Sequence, residues 1–181
     1  MLNLLDWLRS RSSEGRTATE LYGSIVAQAR HRDFYTVLGV QDVAEKRYEL
    51  LVLHLSLVLE RLSQEGAGER PVAQGLVEAF VRDLDGSMRE MAVGDTSVPR
   101  KVRKAAGGLH DRDALYRQAF AGAEDMTPRE LIDALIFDGQ GGDRADRLAQ
   151  YADIARQKLG GWSLRRAGGG APGFPAPVVR D

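Results

Sequence analysis

Apolar residues recur along this chain at spacings of three and four, the mark of helices that bury one face. Leu21, Tyr22, Ile25, Val26 and Ala29 form the first stripe. Thr17-Ala18-Thr19-Glu20 fits a capping box, so the pattern predicts a helix that opens there and ends near Asp33. Asp42, with Glu45 three residues on, predicts the start of a second helix reaching Glu65. Leu50, Leu51, Leu53, Leu55, Leu57, Leu59 and Leu62 leave little of its middle suited to water, which makes 43–65 the central helix. Gly66, Gly68 and Pro71 turn the chain into a third helix, carried by Val72, Leu76, Phe80, Leu84, Met88 and Met91 and stopped by Gly94. Pro99 suits the first turn of a fourth, with Val98, Val102, Ala105, Leu109, Tyr116 and Phe120 in register; Gly107-Gly108 is a point where that run can split. Thr127-Pro128-Arg129-Glu130 supplies an N-cap, a proline at N1 and a glutamate at N3 for a short helix that Gly139, Gly141 and Gly142 end. Asp143 opens the last helix, with Leu148, Tyr151, Ala152, Ala155 and Leu159 facing the core.

Phe34 to Val40 is the one plausible short strand, and it has no partner. The class is therefore all-α, a single helical domain of about six to seven helices. Residues 1–18 read as a short helix and polar linker, 19–160 as the helical body, and 161–181 as a flexible Gly/Pro-rich tail. No internal repeat is present. At the N-terminus the apolar run from Met1 to Leu8 precedes Arg9, Arg11 and Arg16, the reverse of a secretory signal, so secretion is disfavoured. Leu4, Leu5, Trp7 and Leu8 suit either the core or a membrane interface.

A chain of 181 residues with 43% hydrophobic content is sized for one domain with a buried core. Its net charge of -1 gives it no overall attraction to nucleic acid or an anionic membrane. The absence of cysteine excludes disulfides, thiolate nucleophiles and cysteine-ligated metals and leaves the redox compartment open. No apolar run approaches the roughly 20 residues of a membrane span; the longest, Leu50 to Leu59, is interrupted by His54 and Ser56.

The parts of a catalytic or cofactor site are hard to find. His31, His54 and His110 are far apart in sequence and lack helical metal-site spacing, so neither a metal nor another cofactor is expected. His54, in the most apolar helix, reads as a buried imidazole bonded to a neighbour, or as a ligand or general base in an enclosed pocket. Asp83 and Asp85, two apart on a helix, face different directions and make a poor carboxylate pair. Gly107-Gly108 and Gly139-Gln140-Gly141-Gly142 lack the Lys-Ser/Thr of a phosphate loop. One charge feature stands out. Arg100, Lys101, Arg103, Lys104, Arg112 and Arg117 outnumber Asp111 and Asp113 by four, which suits either RNA phosphates and lipid headgroups or a solvated helix face.

Several motifs occur in order: Tyr22-Gly23-Ser24-Ile25-Val26-Ala27-Gln28-Ala29-Arg30, Phe34-Tyr35-Thr36-Val37-Leu38-Gly39-Val40-Gln41-Asp42, and Arg47-Tyr48-Glu49-Leu50-Leu51-Val52-Leu53-His54. Asp83-Leu84-Asp85, Arg89-Glu90, Val93-Gly94-Asp95 and Val98-Pro99 follow. Together they resemble the ubiquinol-cytochrome c chaperone family in its alphaproteobacterial form, over residues 20 to 160. The resemblance implies an all-α assembly factor without enzymatic activity. Its mitochondrial members, with a small partner subunit, bind the ribosome near the tunnel exit and receive newly made cytochrome b. It implies a cytoplasmic protein, peripheral at the inner membrane, that aids assembly of the bc1 complex. Within the matched motifs, Tyr35, Val37 and Leu38 are the expected client-binding residues, and Arg30, Arg47, His54, Asp83, Arg89, Glu90 and Asp95 the expected rim or bracing residues. Arg100, Lys101, Arg103 and Lys104 are the expected ribosome or lipid contact. The competing reading is a small helical enzyme or ligand-binding protein built around His54.

Overall fold

α3 (Ala44–Glu65) runs through the middle of the molecule, and every residue from Val52 to Leu59 along it is buried. A helix apolar all round must be surrounded, and α1 (Leu4–Ala29), α4 (Arg70–Met91), α5 (Val98–Phe120), α6 (Pro128–Ile136) and α7 (Asp143–Gly160) all pack against it. A short α2 (Arg32–Thr36) links α1 to α3. This computed structural model describes residues 4–91, 98–122, 126–165 and 170–177; among them there are seven α-helices, one 3-10 turn and no strand.

The predicted stripes face the core. Leu21, Ile25, Leu76, Phe80, Leu109, Tyr116, Leu148 and Tyr151 belong to one continuous cluster around α3. α1 and α4 share the most extensive helix pair, and a Cβ placed on Gly75 would lie 2.8 Å from the Ala18 Cβ, so the two backbones meet at a residue without a side chain. Acidic residues on α3 and just after it are answered by arginines from several elements. Arg112 of α5 reaches Glu49 at 2.6 Å, Arg156 of α7 reaches Glu60 at 2.8 Å, and Arg165 reaches Glu69 at 2.8 Å. Glu65 pairs with Arg61 at 3.0 Å and accepts the Leu164 N–H at 3.2 Å. These side chains are largely desolvated on the acid side, where a lost partner is costly.

Several local expectations change. Residues 9–18 are helical, so α1 is already running at the expected capping box and does not start there; within it the Thr19 hydroxyl donates to Gly15 O at 2.9 Å. Phe34 to Val40 is not a strand. His31 Nδ1 accepts the Asp33 N–H at 3.3 Å and starts α2, after which Leu38 and Val40 turn inward. Asp42 does not cap α3; Val43 holds the N-cap position, and Asp42 accepts from Arg47 Nε at 2.6 Å. α5 passes unbroken through Gly107-Gly108, and at Gly108 the missing side chain leaves room for a neighbour. A Cβ on Gly108 would lie 2.8 Å from the Tyr48 hydroxyl, which donates to Ala105 O at 2.8 Å. The Thr127 capping box forms as predicted. Residues 170–177, expected to be flexible, lie against the body with Phe174 packed on the core cluster. The expected stop at Gly94, and the packing of the Leu4, Leu5, Trp7 and Leu8 side chains, fall outside what the structure describes.

Candidate functional site: an apolar cleft between α4 and α5

α4 carries two neighbouring apolar rows. Val72, Leu76 and Phe80 point into the core, with Leu84 partly buried at the end of the same row, while Ala73, Val77 and Val81, one position further round, are partly buried beside it. The second row is more than the core needs, and α5 leaves part of it uncovered. Between them lies a cleft of about 560 Å³ with Val77, Val81, Pro99 and Val102 as its floor. Glu78, Arg82, Asp85 and Arg103 rim it, and Arg89 holds Asp85 at 2.7 Å from one turn away.

Arg100, Lys101, Arg103 and Lys104 are exposed on the first turns of α5, beside this cleft. The other two cations of the segment are engaged elsewhere: Arg112 with Glu49, and Arg117 with Asp113 at 2.8 Å. The exposed cations of this segment are thus the four at the start of α5.

The residues expected to touch a client lie at a different corner, where α1, α2 and α3 meet. Val37 is 41% exposed and Val43 42%. Tyr35 is half-buried; its hydroxyl donates to Ala29 O at 3.0 Å, and burial pushes its pKa up, so it stays a donor. Leu38 is 1% exposed and belongs to the core, because α2 turns it inward; it offers no surface to a client. The Asp42–Arg47 pair at 2.6 Å braces this corner, the hydrogen bond holding the Asp42 carboxyl below its ordinary range. Arg30 is exposed there, near enough to Tyr35 and Tyr22 to act on both electrostatically.

Asp83 accepts from the Tyr22 hydroxyl at 2.8 Å, tying α4 to α1. Burial first, then the Asp83 carboxylate, push Tyr22 well above the ordinary phenol pKa. Asp83 thus links two helices, Arg89 pairs with Asp85 within α4, Glu90 is exposed, and Asp95 lies outside the described residues. His54 is fully buried. Its Nδ1 lies 2.7 Å from Leu50 O and its Nε2 2.7 Å from the Tyr151 hydroxyl. A carbonyl can only accept, so Nδ1 carries the proton and Tyr151 donates to Nε2. Burial pushes the imidazole down to about 4, against the backbone hydrogen bond. With both nitrogens engaged and Phe34, Tyr151 and Phe174 packed around the ring, no atom of His54 is left to meet a substrate. Among the described residues no three His, Asp or Glu side chains group as a metal site, and no helix is long and apolar enough to cross a membrane.

The cleft was not among the sequence candidates. The signal was the row Ala73, Val77, Val81 at four-residue spacing beside the core row, which widens the apolar face of α4 beyond one contact.

Residues 36–165 match the family model described as ubiquinol-cytochrome c chaperone. The fold is similar to the crystal structure of the Cbp3 homolog from Brucella abortus, with a TM-score of 0.81 and 27% identity over 97% of this chain and 98% of that one. No curated protein matches the chain. The family model spans most of the sequence, the shared fold spans nearly all of it, and the chain therefore belongs to the ubiquinol-cytochrome c chaperone family.

Proposed function

We propose that the chain holds an apolar segment of newly made cytochrome b in the α4–α5 cleft and so aids assembly of the bc1 complex. Its family carries the assembly role; the observation that supports this site is an open apolar depression bordered by charged side chains. A membrane-spanning segment outside its bilayer needs cover for its side chains, and the floor offers valines and a proline. A volume of about 560 Å³ falls in the small-ligand range of roughly 300–1,000 Å³, so the cleft takes side chains from one helix face and leaves the rest of the helix outside. Such partial cover gives loose, reversible holding, which suits a protein that must hand its client on.

Arg100, Lys101, Arg103 and Lys104 then set the cleft's position. A basic face meets phosphates, whether of the ribosome or of anionic headgroups at the inner membrane, and brings the cleft to where the client emerges. Tyr35 and Val37, with exposed Val43 beside them, supply a second client contact at the α1–α3 corner. The protein makes and breaks no covalent bond in this role.

Site-specific photocrosslinking tests it. A photoreactive residue at Val81 or Val102 captures cytochrome b during its synthesis. Capture at Val37 without capture at Val81 or Val102 moves the site to the other corner. A protein that captures other membrane chains but never cytochrome b ends the reading altogether.

A further inference from the structure

Residues 170–177 cross the body over the α1–α3–α7 junction and are held in an unusual way. The Trp162 indole N–H donates to Gly170 O at 3.3 Å, and the Gln28 amide donates to Pro175 O at 3.0 Å. Between these points the Phe174 N–H turns back to Pro172 O at 3.1 Å, a tight turn centred on Gly173. Beyond that turn the Phe174 ring packs nearly perpendicular to the His54 ring, their centroids 5.3 Å apart. Side-chain donors grip backbone carbonyls and a ring enters an aromatic recess: this is how proteins read proline-rich peptides, whose missing N–H groups leave carbonyls as the handle.

The segment is built for that mode. Pro172, Pro175 and Pro177 fix their own backbone, and each biases the residue before it, Ala171, Phe174 and Ala176, toward extended conformations. Little entropy remains to be lost on docking. The polar groups of the body keep partners without it. His54 has Leu50 O and the Tyr151 hydroxyl, and Tyr151 accepts from Gln28 at 2.9 Å, so the recess wall keeps its hydrogen bonds when the segment leaves. Gln28 and Trp162 each give up one donor contact, which water replaces.

We propose that this recess is a binding site for an extended peptide bearing a phenylalanine between prolines, filled in cis by residues 170–177, which leave it without unfolding the body. Only residues 166–169 separate the segment from Arg165, and covalent attachment over so short a span presents it at an effective concentration on the order of millimolar. The cis occupant therefore shields an intrinsically weak site, and a partner with the same motif enters by displacing it.

The test uses the full chain and a fluorescent peptide with the sequence of residues 170–177. The peptide binds the Phe174→Ala protein and binds the unaltered protein at least tenfold more weakly, since the intact segment competes. A peptide with alanine in place of its phenylalanine does not bind either. Equal binding to both proteins, or none to the folded variant, overturns the proposal, as does loss of helical circular dichroism in Phe174→Ala. Hydrogen exchange on the unaltered protein gives an independent reading. The amides of Gly173 and Phe174 exchange well before those of Val52 to Leu59 if the segment detaches alone; exchange in step with α3 makes it part of the core and sinks the idea.

Discussion

His54 is held neutral, and that has a measurable cost in acid. Its folded pKa of about 4 lies below the ordinary 6.5, so between those values the unfolded chain binds a proton that the folded one refuses. Stability therefore rises with pH through this window, is fully present above 6.5, and falls as the pH drops toward 4. The loss amounts to about 3 kcal/mol at its largest, since each tenfold difference in proton affinity between the two states is worth about 1.36 kcal/mol. Urea unfolding of the parent and of His54→Gln at pH 7, 6 and 5 isolates it, because the variant keeps every other titrating group. The gap between the two proteins should shrink steadily with acid; a constant gap means the imidazole does not titrate in this way.

At the scale of elements, the α1–α4 contact depends on Gly75. Alanine favours a helix over glycine by about 1 kcal/mol, yet at Gly75 its methyl would press on Ala18 at 2.8 Å. Gly75→Ala should therefore destabilise by about 1–3 kcal/mol through overpacking. Gly23→Ala on α1, which meets nothing within 4 Å, should stabilise by about 0.5–1 kcal/mol. Opposite signs in thermal unfolding check the pair, and a stabilising Gly75→Ala rejects the close-packing account. The long helices were legible because a period of 3.6 is written over many residues in each. What escaped was short or governed by tertiary contact. α2 has five residues, too few for a period to show, and the apolar Phe34, Leu38 and Val40 within and after it mimicked a strand. The use of Gly108 inside α5 is explained by Tyr48, which packs against it and is distant in sequence. Proline and glycine made residues 170–177 look disordered, although Phe174 had a partner ring in α3.

At the scale of the whole molecule, charge and cover are arranged on different sides of one central helix. α3 gathers the core and the buried acids, while the partly buried Val77 and Val81 and the basic turns lie together at α4 and α5. The basic side could be read from the sequence as a run of cations; of the cleft the sequence carries only the extra row Ala73, Val77 and Val81, since it takes assembly of two helices to bring Val77, Val81 and Val102 to one space. Charge reversal at Arg100, Arg103 and Lys104 should abolish cosedimentation with ribosomes while the helical signal is retained. In the parent, that association should weaken steeply between low and moderate salt, as phosphate contacts do. Cosedimentation untouched by reversal assigns these cations to solvent.

Arginines answer the acids on and just after α3, and the chain holds just four lysines, Lys46, Lys101, Lys104 and Lys158. Lys46 is 8% exposed and bound to Asp138 at 2.6 Å. A primary-amine acylating reagent thus reports, apart from the chain's amino terminus, on three sites, two of them on the opening turns of α5. Footprinting by mass spectrometry can follow occupancy of that face in a crude assembly mixture with almost no background from the rest of the protein.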